Sequence, residues 1–194
     1  VTIGFYTLSL HHALPICALE EKVLEGTYPP VDLVYASPMI RCRQTAKILW
    51  PKFTDSSQIQ YVQNLQECDF GAFENKNYQE LSGNAEYQAW IDSNGTLPFP
   101  QGESREQFQR RCEEGFCELL KEVWTREKLP ASLALIVHGG TIMALLVAFA
   151  EGSYYDYQCA NAKGYKGRLS VEFNAAGNTL RDTIKIADVR KLEE

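Results

Sequence analysis

The sequence predicts an α/β fold, a three-layer α/β/α sandwich with a mainly parallel central sheet. Short apolar runs alternate with amphipathic stretches through most of the chain, the pattern of strand–helix units that cover both faces of a parallel sheet. Proline and glycine punctuate the boundaries, at Pro29-Pro30, Pro51, Pro130 and Gly139-Gly140. The length of 194 residues, 45% of them hydrophobic, suits one globular domain over residues 1–194.

Each element follows from its local pattern. Residues 2–6 (TIGFY) read as a buried strand. Residues 17–25 read as a short helix, and residues 31–36 (VDLVYA) as a second strand. Ser37-Pro38 then offers an N-cap and a first-turn proline for a helix running to about Trp50. A short strand is expected at residues 61–62 and a polar loop with aromatic anchors at 65–76. Helical signals cover residues 77–93, with Tyr87 and Trp90 on one face, and residues 94–102 form a turn-rich loop. Glu103 to about Lys128 carries an apolar stripe of Phe108, Cys112, Phe116 and Leu119 at helical spacing. Residues 132–138 read as a strand ending at His138, and Thr141 begins a helix to about Ala150. Residues 168–174 and 179–187 alternate like a hairpin that turns at 174–178.

Composition narrows the partners. A formal net charge of −6 opposes bulk nucleic-acid binding, because phosphate backbones repel it, yet leaves room for one cationic pocket. The six cysteines contain no CxxC pair, so reduced thiols in a cytoplasmic protein are expected, with no metal site and no cofactor. No apolar run approaches the ~20 residues of a membrane span, and no membrane partner is expected.

Parallel sheets place ligands beyond the carboxyl ends of their strands. His138 stands at such an end, followed by Gly139 and Gly140 and a new helix. Glycines admit a ligand close to the backbone, and a helix N-terminus offers N–H groups to an anion. Arg41 lies one turn into the helix after the second strand, where its planar fork matches phosphate oxygens. Arg43, two residues on, points elsewhere and reads as a solvated surface arginine. Glu67, in a partly apolar loop, suits an acid that protonates a leaving oxygen, with Asp69 and Glu74 as rivals in the same loop.

Four motifs occur in order: SPMIRCRQTA at residues 37–46, LQECDFGAFENK at 65–76, PQGES at 100–104 and VHGG at 137–140. In this order and spacing they resemble the histidine phosphatase superfamily, in its small phosphatase branch related to phosphoglycerate mutases. The text is most similar to α-ribazole phosphatase-like proteins of cobalamin synthesis. The resemblance covers about residues 18–187. It implies a metal-independent phosphomonoesterase acting on a small phosphorylated substrate. By the same resemblance Arg41 binds phosphate, Glu67 is the proton donor, and His138 with Gly139 holds the phosphoryl group. Ser37, Gln44 and Thr45 match the rest of the arginine motif and are assigned packing or capping work. Gly102, Glu103 and Ser104 match a loop bordering the substrate.

One element of the pattern is missing. The family's nucleophile is a histidine in an Arg-His-Gly triplet after the first strand, where this chain has Thr7, Leu8 and Ser9. Leucine has no lone pair with which to attack phosphorus. His11 and His12 lack the preceding arginine and following glycine, and in-line attack tolerates little misplacement. LHHALPI, residues 10–16, differs by one residue from LHDALPI, which resembles a translated short-read sequencing adapter. Residues from about 6 to 16 are therefore expected to be non-native, standing where the triplet and its loop belong. The alternatives are a catalytically dead phosphate-ligand binding module, or a mutase, which is disfavoured because mutases usually carry longer insertions.

Overall fold

In the computed structural model, residues 1–7, 21, 23, 24, 26, 28–53, 58–159, 163–172 and 181–192 are described. Six strands form one sheet: β1 (Thr2–Thr7), β2 (Leu33–Ala36), β3 (Ile59–Tyr61), β4 (Ser132–Ile136), β5 (Lys163–Ser170) and β6 (Lys185–Lys191). Their order is β3-β2-β4-β1-β5-β6. The pairs β3/β2, β2/β4 and β4/β1 are parallel, while β1/β5 and β5/β6 are antiparallel. Among the described residues they are accompanied by helices α1 (Ile40–Leu49), α2 (Ala85–Asp92), α3 (Arg105–Trp124) and α4 (Gly139–Phe149).

The strands alternate across the sheet with period two, and each face becomes a core. Ile3 and Phe5 of β1, Leu33 and Tyr35 of β2, and Leu133 and Leu135 of β4 face α3 and α4. Tyr6, Val34, Ala36, Ala134 and Ile136 face α1, where they meet Cys42, Ala46, Leu49 and Trp50. This produces the three layers. Tyr6 makes an edge contact with the Trp50 ring, centroids 5.0 Å apart. Its own ring lies over Gly4, where an added Cβ would come within 2.5 Å of the tyrosine oxygen.

Several boundaries differ from the sequence expectation for physical reasons. The helix after β2 begins at Ile40 with Met39 as N-cap and no side-chain cap. Ser37 lies two residues before the N-cap, where its hydroxyl accepts from the Met39 N–H at 3.4 Å and meets His138 Nε2 at 2.8 Å. The short strand after α1 lies at Ile59–Tyr61, with Val62 just beyond it. Helix α2 is shorter than residues 77–93 because Gly83 adopts φ +80° and Asn84 then caps the helix, accepting from the Tyr87 N–H at 3.0 Å. Helix α3 starts at Arg105, since Ser104 and Gln107 form a capping box, and ends at Trp124. Strand β4 stops at Ile136, and His138 is the extended N-cap of α4, which begins at Gly139 rather than Thr141.

The terminal hairpin is displaced outward along both strands. Gly164 and Gly167 weaken the local strand signal, but β5 needs small residues there. A Cβ at Gly164 would lie 2.0 Å from the Phe5 carbonyl of the neighbouring strand. The expected turn at 174–178 lies outside the described residues, as do Leu8, Ser9, His11, His12 and Cys17. Of the helix expected at 17–25, residues 21, 23 and 24 are described, and all three are helical. Among the described residues no helix is long and apolar enough to cross a membrane.

Phe116 sits at the centre of the α3/α4 layer, fully buried between Phe5 (centroids 6.4 Å apart) and Phe149 (5.3 Å). Phe116→Ala leaves a cavity bounded by two rings that cannot collapse. It is expected to lower unfolding stability by about 3–5 kcal/mol, read as a shifted urea midpoint at constant slope.

Candidate functional site

Three strands deliver the site. β1, β2 and β4 run parallel, with Tyr6 and Ala36 both in register with Ile136. Their carboxyl ends therefore open together, and Thr7, Ser37 and His138 leave the sheet at one edge. Thr7, Arg41, Glu67, His138 and Gly139 line one cleft of about 780 Å³.

His138 is 2% exposed and held from both ring nitrogens. Arg41 Nε donates to Nδ1 at 3.1 Å, and Nε2 lies 2.8 Å from Ser37 Oγ. Because Nδ1 accepts, the proton belongs on Nε2, which donates to the serine: the ring is neutral with a defined tautomer. Burial, followed by the charges of Arg41 and Arg111, pulls its pKa from 6.5 down to about 3. Glu67 Oε2 lies 3.7 Å from Nδ1 and 3.8 Å from Arg41 Nη2. The first contact is no ion pair while the imidazole is neutral. The second leaves a bridging gap at the centre of the site.

Glu67 is the acid of its loop that reaches this centre. Asp69 is turned back to accept from the Gly71 N–H at 2.9 Å, and Glu74 accepts from the Phe70 N–H at 3.0 Å. Burial raises the Glu67 pKa, opposed by the Cys68 N–H on Oε1 and by Arg41. Cys42 Sγ sits 3.6 Å from His138 Nε2, but burial pushes that thiol up to about 12, so it is not a nucleophile at neutral pH. Gly139 opens α4, whose first N–H groups have no partners within the helix. Gly140 is needed for closeness, since a Cβ there would stand 3.0 Å from Glu67 Oε1. Arg43 lies over the Tyr61 ring, 5.1 Å from its centroid, away from the site. Thr45 donates to the Arg41 carbonyl at 2.8 Å within α1.

Sequence reasoning missed Arg111. Its guanidinium grips Glu103 at 2.7 and 2.8 Å and donates to the carbonyls of Asn64, Gln66 and Glu67. It thereby clamps the loop that carries Glu67. The loop of Gly102, Glu103 and Ser104 is tied to the same place: the Glu103 N–H donates to the Asp69 carbonyl at 2.9 Å, and Glu103 Oε2 accepts from the Asp69 N–H. Gly71, at φ +52°, makes the approach possible, because a Cβ there would fall 2.2 Å from the Pro100 carbonyl. Arginine two turns into an amphipathic helix carries no sequence signal for such a role. Among the described residues no group of three or more His, Cys, Asp or Glu is arranged to hold a metal ion.

A histidine pKa lowered in the folded state stabilises above its unfolded value, and that stability is lost as pH falls from 6.5 toward about 3. Chemical denaturation of the wild-type protein between pH 7 and pH 4 is expected to show a steeper loss than that of His138→Gln. Equal pH slopes in the two proteins would exclude a buried neutral imidazole.

The chain superposes on the α-ribazole phosphatase of Shigella flexneri with a TM-score of 0.69 at 15% identity, covering 97% of this chain and 96% of that one. It superposes on a mycobacterial glucosyl-3-phosphoglycerate phosphatase with a TM-score of 0.65 at 18% identity, covering 98% and 95%. A histidine-to-alanine mutant of phosphoserine phosphatase from Entamoeba histolytica, in complex with phosphoserine, gives 0.62 at 14% identity, covering 96% of each chain. A search of the curated proteins gave no sequence match. The sequence model of the histidine phosphatase superfamily (branch 1) matches residues 22–183, so the chain belongs to that superfamily.

Proposed function

We propose that the chain is a histidine-type phosphomonoesterase from which the nucleophile has been removed. Its substrate is a small phosphomonoester, α-ribazole 5'-phosphate or a similar compound, and its setting is the cytoplasm. The observation that carries this reading is the convergence of Arg41, Glu67 and His138 beside the start of α4. The fold shared with an α-ribazole phosphatase supports the choice of substrate.

With a histidine at position 8, the imidazole attacks phosphorus in line with the leaving alcohol. Arg41 and the first N–H groups of α4 neutralise the transferring oxygens. His138 rests neutral, with its Nδ1 lone pair turned to Arg41. A phosphoryl dianion draws Arg41 away and favours the protonated ring, which then donates from Nδ1. Glu67, whose pKa burial raises, gives its proton to the leaving oxygen. Water then splits the phosphohistidine into inorganic phosphate and free histidine.

The rival reading is a catalytically dead module that binds a phosphorylated ligand. Thr7 favours it, because threonine occupies the cleft wall where the family carries a second arginine. The DNA spanning residues 6–16 separates the two: an adapter scar favours the enzyme, an intact reading frame the module.

Restoring Arg-His-Gly at Thr7, Leu8 and Ser9, with a loop of normal length, is expected to raise phosphomonoester hydrolysis by on the order of 10³-fold or more. In the restored chain Glu67→Gln is expected to lower kcat by about 10²–10⁴. It should also flatten the alkaline limb of the rate profile, since the acid must be protonated to act. A restored chain that binds phosphate yet turns over no phosphomonoester would leave the binding module as the function.

A further inference from the structure

A second chamber of about 790 Å³ opens beside the first. The two share Glu67, Cys68, Phe70, Trp90 and Phe99, so they meet at the proton-donor loop. Their chemistry differs. The second is lined by the rings of Phe70, Trp90, Phe99, Phe108, Tyr154 and Tyr155. Phe99 stacks on Trp90 at 5.1 Å and 25°, while Phe70 meets Phe99 edge-on at 5.0 Å. Gly139 faces the first chamber and Gly140 the second, so the boundary runs along the opening turn of α4.

One cation stands in this aromatic chamber. Arg105, the first residue of α3, lies with its guanidinium 4.0 Å from the Tyr154 ring centroid and 5.3 Å from that of Tyr155. Among the described residues no carboxylate pairs with it. The chamber's own carboxylate is Glu67, which is committed to the other side by Arg41 and the Cys68 N–H. A guanidinium held over a phenol ring still has donors to offer a planar acceptor.

We propose that this chamber binds an aromatic body ending in a carboxylate, with the carboxylate on Arg105 and the ring between Trp90, Phe99 and Tyr154. On the phosphatase reading, on which the inference rests, that body is the leaving group of the substrate, which narrows the class to aromatic phosphomonoesters that carry a carboxylate; α-ribazole 5'-phosphate, which has none, would then lack the Arg105 contact. The phosphoryl group sits at Arg41 and His138, the ester oxygen at Glu67, and the remainder crosses into the second chamber. A bound anion there is drawn to Arg105, the chamber's cation, which fixes the ligand's direction.

The chain as it stands has no nucleophile, so binding is measured without turnover. Calorimetry with N-acetyl-O-phosphotyrosine and its C-terminal amide compares ligands that differ in one carboxylate. N-acetyltyrosine and its amide repeat the comparison without phosphate, and inorganic phosphate probes the first chamber alone. The carboxylate forms are expected to bind about tenfold more tightly than the amides. Arg105→Gln should abolish that preference while leaving inorganic phosphate affinity unchanged, and Arg105→Lys should retain part of it. Equal affinity of acids and amides overturns the proposal, as does loss of phosphate binding in Arg105→Gln. Failure of inorganic phosphate to bind, with the N-acetyltyrosine preference intact, overturns the phosphatase reading and leaves the chamber.

Discussion

The site depends on the parallel register of β1, β4 and β2. Ile136 pairs with Tyr6 on one side and Ala36 on the other, so three strands end at the same height. From that shared edge the chain sends Thr7, the Ser37–Arg41 turn and His138 into one space. A slip of two residues in any one strand would move its contribution by about 6–7 Å, beyond the reach of the hydrogen bonds that join Ser37, Arg41 and His138. The register is held by burial on both faces: a one-residue slip would turn Phe5 and Leu135 toward α1 and Tyr6 and Ile136 toward α3 and α4, so both cores would have to repack.

On this frame the cleft is assembled as a nearly self-satisfied network. His138 gives one nitrogen to Ser37 and takes Arg41 on the other, and its neutrality follows from burial beside two guanidinium groups. Glu67 is fixed through its backbone by Arg111 and by glycines that let two loops touch. The electrostatic result is one committed cation and an acid that burial inclines toward the neutral form. On the proposed reading, such a site admits an anion by exchange, with the incoming group replacing contacts already present, so little rearrangement of the fold is required.

Arg41, Glu67 and His138 were legible because each sits in a local motif at a strand end or loop. The choice of Glu67 over Asp69 and Glu74 was not legible from propensity, since all three share one polar loop. It is decided by backbone N–H groups that capture the rivals. Ser37 read as a helix cap because Ser-Pro has that local meaning, while its actual partner lies 101 residues away. Arg111 was invisible for the same reason, its carbonyl acceptors being 44 to 47 residues distant. Strand β5 was obscured by Gly164, whose small size answers to the neighbouring strand rather than to its own segment. Short-range pattern reports elements; long-range contacts report roles.

In the proposed reading, loss of the nucleophile separates fold from chemistry in a specific way. The backbone of β1 is determined by pairing along Thr2–Thr7 with both β4 and β5, and by Tyr6 against Trp50. None of these contacts involves a side chain at positions 7 to 9. In that reading, changing the triplet costs the fold little, while it removes the atom proposed to attack phosphorus and a cation proposed to share its charge. Likeness of fold at 15% identity is accordingly silent on turnover. On the proposed mechanism, turnover rests on a few side chains past the end of a strand whose position is set without them.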